Sequence, residues 1–217
     1  MFSKHVWYDR RHQAEVFTTD EGVISGTIVA YEGAVFVINP RPEILLALYQ
    51  EAKIKRILGV KGVILTNDSI DFTRGLCAFV NYSRGLRRRS PLTIITLSDT
   101  EIATDFLSSC CARLWGDSEF EVEFAKLASG ESYRIGKGTL SFVKPKKGKA
   151  GISPYLVVQT DLDRTLHYYD ESYSEALDDS QRDRGAKKPN VVIRAAELPS
   201  YAMHVREKLS REIQNAK

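Results

Sequence analysis

Gly59-Val-Lys-Gly62-Val-Ile-Leu-Thr66-Asn67-Asp68-Ser69-Ile70-Asp71-Phe72-Thr73-Arg74-Gly75-Leu76 reads as a strand, a polar turn and the start of a helix. Gly62–Thr66 is a compact, β-rich apolar run, the kind that fills the middle of a parallel sheet with both faces covered. Asn67-Asp68-Ser69 supplies turn chemistry, because short polar side chains bond their own backbone there. The stretch Asp71–Val80 predicts a helix with Asp71 near its start, where a carboxylate meets free backbone N–H groups and the positive end of the helix dipole. The layout is that of a metal-binding turn. Its side chains, however, are an amide, a hydroxyl, a carboxylate and a phenyl ring, with no imidazole among them.

Upstream, the chain reads as strands from Ala14 to Asn39. Glu15–Thr19 precedes Val23–Tyr31, and Ala34–Ile38 follows the Glu32-Gly33 turn. Asn39-Pro-Arg-Pro42 stops that strand, and Pro42 suits the first turn of a helix. The helix is expected over Glu43–Lys55, with apolar residues at Ile44, Leu45, Leu48, Ala52 and Ile54.

Downstream, Pro91–Leu97 is expected as a strand, and Ser98-Asp99 as the cap of a helix with Ile102, Phe106, Leu107 and Cys110 on one face. Glu119–Leu127 alternates acidic and apolar residues, as a half-exposed strand does. Gly130 to Gly138 reads as a turn leading into the strand Thr139–Val143. Tyr155–Thr160 and Thr165–Tyr169 read as a hairpin across Asp161-Leu-Asp163-Arg, Val191–Ile193 as a last strand and Tyr201–Asn215 as a terminal helix.

With 217 residues, 43% hydrophobic and 27% charged, the chain has the composition of a globular protein. Residues 1–217 are expected to form a single domain, since no repeat or low-complexity linker divides them. The formal net charge of +3 is too small to indicate nucleic-acid binding by itself, because such surfaces depend on clustering. Cys77, Cys110 and Cys111 form no spaced framework. Met1 to Gln13 lacks an apolar signal core, and no run approaches the roughly 18 apolar residues of a membrane span. A cytoplasmic protein without a membrane partner is the expectation.

The opening stretch resembles the metallo-β-lactamase superfamily, closest in look to its ribonuclease Z branch. In that family a strand ends in Thr and runs into His-x-His-x-Asp-His, with Gly-Leu on the helix that follows. Here the matching residues are Thr66, Asn67, Ser69, Asp71, Phe72 and Gly75-Leu76. Phe36-Val-Ile-Asn39 lies where the family has a strand ending in an acidic residue. Arg89-Ser-Pro91-Leu, Glu131-Ser-Tyr-Arg-Ile-Gly136, Ser153-Pro-Tyr155 and Leu166-His-Tyr-Tyr-Asp170 resemble later family segments, the last ending in the metal-bridging aspartate. The resemblance implies an αββα sandwich, α/β (α+β) in class, of two mixed sheets flanked by helices.

It also implies a ligand set that this chain has lost. The histidine positions carry Asn67, Ser69, Phe72, Lys149 and Ala195, and only Asp71 and Asp170 keep family ligands. A catalytic zinc takes at least three protein ligands from imidazole, thiolate and carboxylate. Without the ion, nothing lowers the pKa of an attacking water. The expectation is therefore a catalytically inactive fold member, a pseudoenzyme without cofactor or catalytic residues, serving as a binding, scaffold or regulatory module. The alternative is a phosphodiesterase or ribonuclease-type hydrolase, with Asp71 and Asp170 holding a hard cation among oxygen ligands.

The four histidines, His5, His12, His167 and His204, are not paired at ligand spacing. Two basic segments stand out: Arg84 with Arg87, Arg88 and Arg89, and Lys144, Lys146, Lys147 and Lys149. Charge runs are usually solvated faces. Arginine forks also match phosphate oxygens, so these residues are candidates for phosphate, RNA or nucleotide binding. A protein partner or a homo-oligomer is the other expected association.

Overall fold

The computed structural model describes residues 2–9, 12–19, 24–31, 33–67, 69–97, 120–143, 155–159, 165–169 and 191–194. The expected helices after Ser98 and over Tyr201–Asn215 lie outside these residues, as does the Cys110-Cys111 pair.

Seven strands form the first sheet in chain order: β1 (Phe2–Asp9), β2 (His12–Thr19), β3 (Ile24–Tyr31), β4 (Ala34–Ile38), β5 (Val60–Leu65), β6 (Leu92–Leu97) and β7 (Val122–Leu127). The first four pair antiparallel, and β4 through β7 pair parallel. Parallel neighbours need crossovers. Two of these are the helices α1 (Ile44–Gly59) and α2 (Ile70–Gly85). The second sheet is an antiparallel run of β8 (Ser132–Ile135), β9 (Gly138–Val143), β10 (Tyr155–Gln159) and β11 (Thr165–Tyr169), with β12 (Val191–Arg194) parallel to β11 at its edge.

Two cores follow from this layering. Ile28, Val37, Val63 and Leu65 on one face of the first sheet pack against Ile44, Leu48, Phe72, Leu76 and Phe79 of the helices. Val29, Phe36, Ile38, Ile64 and Ile95 on the other face pack against Leu140, Phe142, Leu156, Leu166 and Tyr168 of the second sheet. Strand β5 is thus covered on both sides, as the apolar run Gly62–Thr66 leads one to expect. It begins earlier than that run, at Val60. Val35 pairs with Val60 and Phe36 with Gly62, so Lys61 is the extra residue of a bulge and stands exposed.

The segment from Asn39 to Arg41, between β4 and α1, is held from two sides. Asn39 has φ 47°, in the left-handed region that asparagine tolerates better than most residues. Its amide nitrogen donates to Thr66 Oγ1 at 2.7 Å, and its Oδ1 accepts from the Thr66 N–H at 2.9 Å. From the other side, α2 lies so close that a Cβ on Gly75 would stand 1.9 Å from the Pro40 carbonyl oxygen. Such a contact forces backbone to move.

His167 faces away from the inter-sheet core, because its neighbours Leu166 and Tyr168 point into it. Its ring lies 5.2 Å from that of Tyr155. Burial lowers its pKa from 6.5 to about 4.

Three outcomes are expected. Gly75→Ala should destabilise the fold by about 2 kcal/mol or more in denaturant titration, since overpacking against backbone has no cheap relief. Asn39→Gly, which keeps the backbone free to adopt positive φ, should cost about 2 kcal/mol through the lost hydrogen bonds; Asn39→Ala should cost about 1 kcal/mol more through left-handed strain. For His167, the unfolded imidazole takes up a proton that the folded one refuses between pH 6.5 and about 4. Folding stability should fall as pH is lowered through that window, by at most about 1.4 kcal/mol per unit, and His167→Gln should flatten the slope.

Candidate functional site

Ligands of open α/β sheets bind outside the carboxyl ends of the parallel strands. In this chain that rim is formed by the ends of β4 and β5 and the turn into α2. Asn39 closes β4, with its N–H donating to the Ile64 carbonyl at 2.8 Å. Its amide nitrogen also lies 3.4 Å from the hydroxyl of Tyr168, which reaches it from the second sheet. Asn39, Thr66 and Tyr168 are all buried, so this polar cluster knits both sheets together beneath the rim.

The turn carries Asn67, Ser69, Asp71 and Phe72, the residues that the sequence resemblance singles out. Asn67 Oδ1 accepts from the Ser69 N–H at 2.9 Å, an Asx turn that uses the side-chain oxygen to shape the chain. Ser69 is the N-cap of α2, but its hydroxyl makes no capping bond. Its carbonyl accepts from the N–H groups of Phe72 and Thr73 and from Thr73 Oγ1.

Asp71 lies in the first turn of α2, at the positive end of the helix dipole as expected, and it is also bonded to a side chain from another loop. Its Oδ2 accepts from Arg41 Nη1 at 2.9 Å. The Asp71 side chain is 44% exposed and that of Arg41 20%, so the pair adds little stability, on the order of 0–1 kcal/mol. Its consequence is positional. A cation from the β4–α1 loop sits on the carboxylate in the first turn of α2.

Phe72 does not line the rim. The ring is only 4% exposed and belongs to the core between helices and sheet, on the stripe with Leu76, Phe79 and Val80. The guanidinium of Arg41 stands over it at 5.7 Å, within cation–π range.

Among the described residues, the side chains gathered here are the amides of Asn39 and Asn67, the hydroxyls of Thr66, Ser69 and Tyr168, and the Asp71 carboxylate engaged by Arg41, a set without the imidazole or thiolate that zinc favours. Among the described residues no group of three or more His, Cys, Asp or Glu could hold a metal. Lys149, Asp170 and Ala195 lie outside the described residues, as do Lys144, Lys146 and Lys147.

The arginine run requires a correction at its centre. Arg88 is 1% exposed, so it cannot serve as a surface phosphate ligand. Its Nε donates to the Ser90 carbonyl at 2.8 Å, Nη2 to those of Pro91 and Val60, and Nη1 to those of Leu58 and Ile57. The guanidinium also lies 5.9 Å from the Phe120 ring, and burial pulls its pKa down. Arg84, Arg87 and Arg89 are exposed. They sit at the opposite end of the sheet from the rim, beside the start of β5 and ahead of β6.

Sequence reasoning missed Arg41 and Tyr168 as site residues. It placed Asn39 by family position but gave it no partner. The only signal for Arg41 was its place between two prolines. Among the described residues, no helix is long and apolar enough to cross a membrane.

No protein-family model matches the chain, and no curated protein matches it in sequence. Solved structures do match. The metallo-β-lactamase fold protein YhfI from Bacillus subtilis is 13% identical with a TM-score of 0.50; the match covers 70% of this chain and 56% of that one. A Cronobacter sakazakii metallo-β-lactamase with a HARLDQ motif is 12% identical, with 92% and 80% covered and a TM-score of 0.54. A B3 metallo-β-lactamase with an active-site glutamic acid is 13% identical, with 94% and 88% covered and a TM-score of 0.52. At these identities the likeness concerns the fold alone. The two sheets, the helices packed on one of them and these matches together establish that the chain has the metallo-β-lactamase fold.

Proposed function

We propose that this protein is a non-hydrolytic member of the metallo-β-lactamase fold, a pseudoenzyme that works as a binding or regulatory module. One observation carries the reading: the Arg41 guanidinium holds Asp71 at 2.9 Å. A divalent cation at that carboxylate would have to displace a tethered cation that is also stacked on Phe72. The neutral side chains of Asn67 and Ser69 offer no charge to favour the exchange, and the Asn67 oxygen is already engaged in the turn.

The hydrolase alternative, with Asp71 and Asp170 sharing a hard cation, needs Asp71 as a free ligand. Magnesium and calcium sites gather several oxygens around the ion and rely on carboxylate charge. Asp71 has one of its two oxygens bonded to Arg41, so an ion there would share the carboxylate with a guanidinium. The motif's likeness to the ribonuclease Z branch bears on ligand class rather than on turnover, and favours RNA or a nucleotide over an unrelated small molecule.

Two measurements test this reading together. Protein purified without chelator should carry no stoichiometric zinc, manganese or magnesium by elemental analysis. Hydrolysis of bis(p-nitrophenyl) phosphate should stay at buffer background, both for the natural chain and for Asp71→Ala and Arg41→Gln. A full equivalent of metal that disappears in Asp71→Ala, together with loss of a measurable turnover, would overturn the proposal in favour of the hydrolase.

A further inference from the structure

The end of the sheet opposite the rim carries its own chemistry. The five carbonyls that receive the Arg88 guanidinium belong to Ile57, Leu58, Val60, Ser90 and Pro91. One buried side chain thereby gathers the C-terminus of α1, the start of β5 and the approach to β6 into a single surface. Arg87 and Arg89 flank it in sequence and are exposed. Arg87 has φ 53°, and its N–H donates to the Arg84 carbonyl at 2.8 Å, closing a tight turn after α2. The left-handed residue lets the chain reverse so that Arg88 points inward while its neighbours remain outside.

Lys61 joins this surface through the β5 bulge, which leaves it unpaired in the ladder and exposed. Lys55, in the last turns of α1, is exposed as well. Tyr82, in the last turn of α2, is 41% exposed. Glu121 borders the surface, with its carbonyl accepting from the Leu92 N–H and its side chain exposed. Among the described residues at this end, the exposed cations Lys55, Lys61, Arg84, Arg87 and Arg89 outnumber the exposed carboxylates Glu121 and Glu123.

We infer that this basal surface binds single-stranded nucleic acid along its phosphodiester backbone, with Arg87, Arg89 and Lys61 on phosphates and Tyr82 as a stacking platform for a base. Two physical points favour a strand over an acidic peptide. Planar guanidinium forks match phosphate oxygens in pairs, and Tyr82, exposed in the helical turn that leads into the arginine run, offers the stacking face that single-strand binders use. Strand β5 spans roughly 20 Å at about 3.3 Å per residue, so the surface is separate from the rim and does not depend on the state of Asp71.

The test uses a fluorescein-labelled oligouridylate of roughly 20 nucleotides, longer than the footprint of one binding groove, followed by anisotropy across a salt series. Binding should be saturable at low salt and weaken as salt rises. The double variant Arg87→Asn/Arg89→Gln, in which asparagine tolerates the left-handed position, should bind roughly tenfold or more weakly. Its plot of log K against log salt should be shallower by about 1.4, two phosphates at about 0.7 each. Tyr82→Ala should lose roughly fivefold or more with the salt slope unchanged.

Asp71→Ala should bind as the natural chain does, so an error in the reading of the rim leaves this result intact. Four results would overturn the inference: no saturable binding at low salt, equal affinity of the double variant, no loss in Tyr82→Ala, or a loss in Asp71→Ala as large as that of the double variant. Competition by poly-glutamate as strong as that by unlabelled oligouridylate would also overturn it, assigning the surface to an acidic peptide. Circular dichroism of each variant checks that exposed substitutions leave the fold in place.

Discussion

The reciprocal pair of hydrogen bonds between Asn39 and Thr66 ties the carboxyl ends of β4 and β5 together at the point where both strands leave the sheet. Everything at the rim is built outward from it. Pro40 and Arg41 follow Asn39 directly, and Asn67 follows Thr66, so the two loops that carry the site residues start from one hydrogen-bonded corner. Tyr168 reaches the same amide from the second sheet, and the close approach of Gly75 presses α2 onto the loop from the helical side. A buried polar cluster of this kind is costly unless satisfied, and when satisfied it fixes one arrangement among the many that a purely apolar contact would allow.

With the corner fixed, charge decides what the rim can do. A metal-dependent hydrolase gathers carboxylates and imidazoles around an absent positive charge, and the ion completes them. Here the positive charge is covalently attached. Arg41 enters from the β4–α1 loop, meets Asp71 and covers Phe72, so the electrostatic demand of the carboxylate is met from within the chain. Backbone path and side-chain charge are separate matters here: Gly75, Thr66 and the strand–turn–helix path serve packing, whereas Asp71 is matched by a cation from another loop.

Much of the fold was readable because its signals are local. Ala34–Ile38 matches the observed β4 residue for residue, and the hairpin strands around Asp161-Leu-Asp163-Arg lie within a residue of β10 and β11. The failures have identifiable physics. β1 was passed over because Phe2–Asp9 is rich in polar residues; it forms by pairing along its whole length with β2. β8 has one buried residue, Ile135, too little to register as a pattern. α2 extends past Val80 to Gly85, over a polar stretch in which only Ser83 is buried, so no apolar periodicity marks its last turn. Glu119–Leu127 was right as a strand but not in its faces, since Phe124 is exposed while Leu127 is buried.

The site was legible only where family position spoke for it. Asn67, Ser69 and Asp71 could be placed on the turn, but Arg41 lies thirty residues from its partner, and nothing near it in sequence announces the pair. Arg88 shows the opposite error: a charge run suggested solvent, and the central arginine turned out to be a fastener between backbone carbonyls.

The stacking of Arg41 on Phe72 bears on any attempt to build a metal centre into this scaffold. Placing histidines at positions 67, 69 and 72 would not be enough. An imidazole at 72 would replace a ring that contributes to the helix–sheet core, and it would meet a guanidinium before it met an ion. Such a design would have to begin at residue 41, with a neutral side chain there and new apolar volume to cover the core. The loop between β4 and α1 thus sets which charge the first turn of α2 can accept.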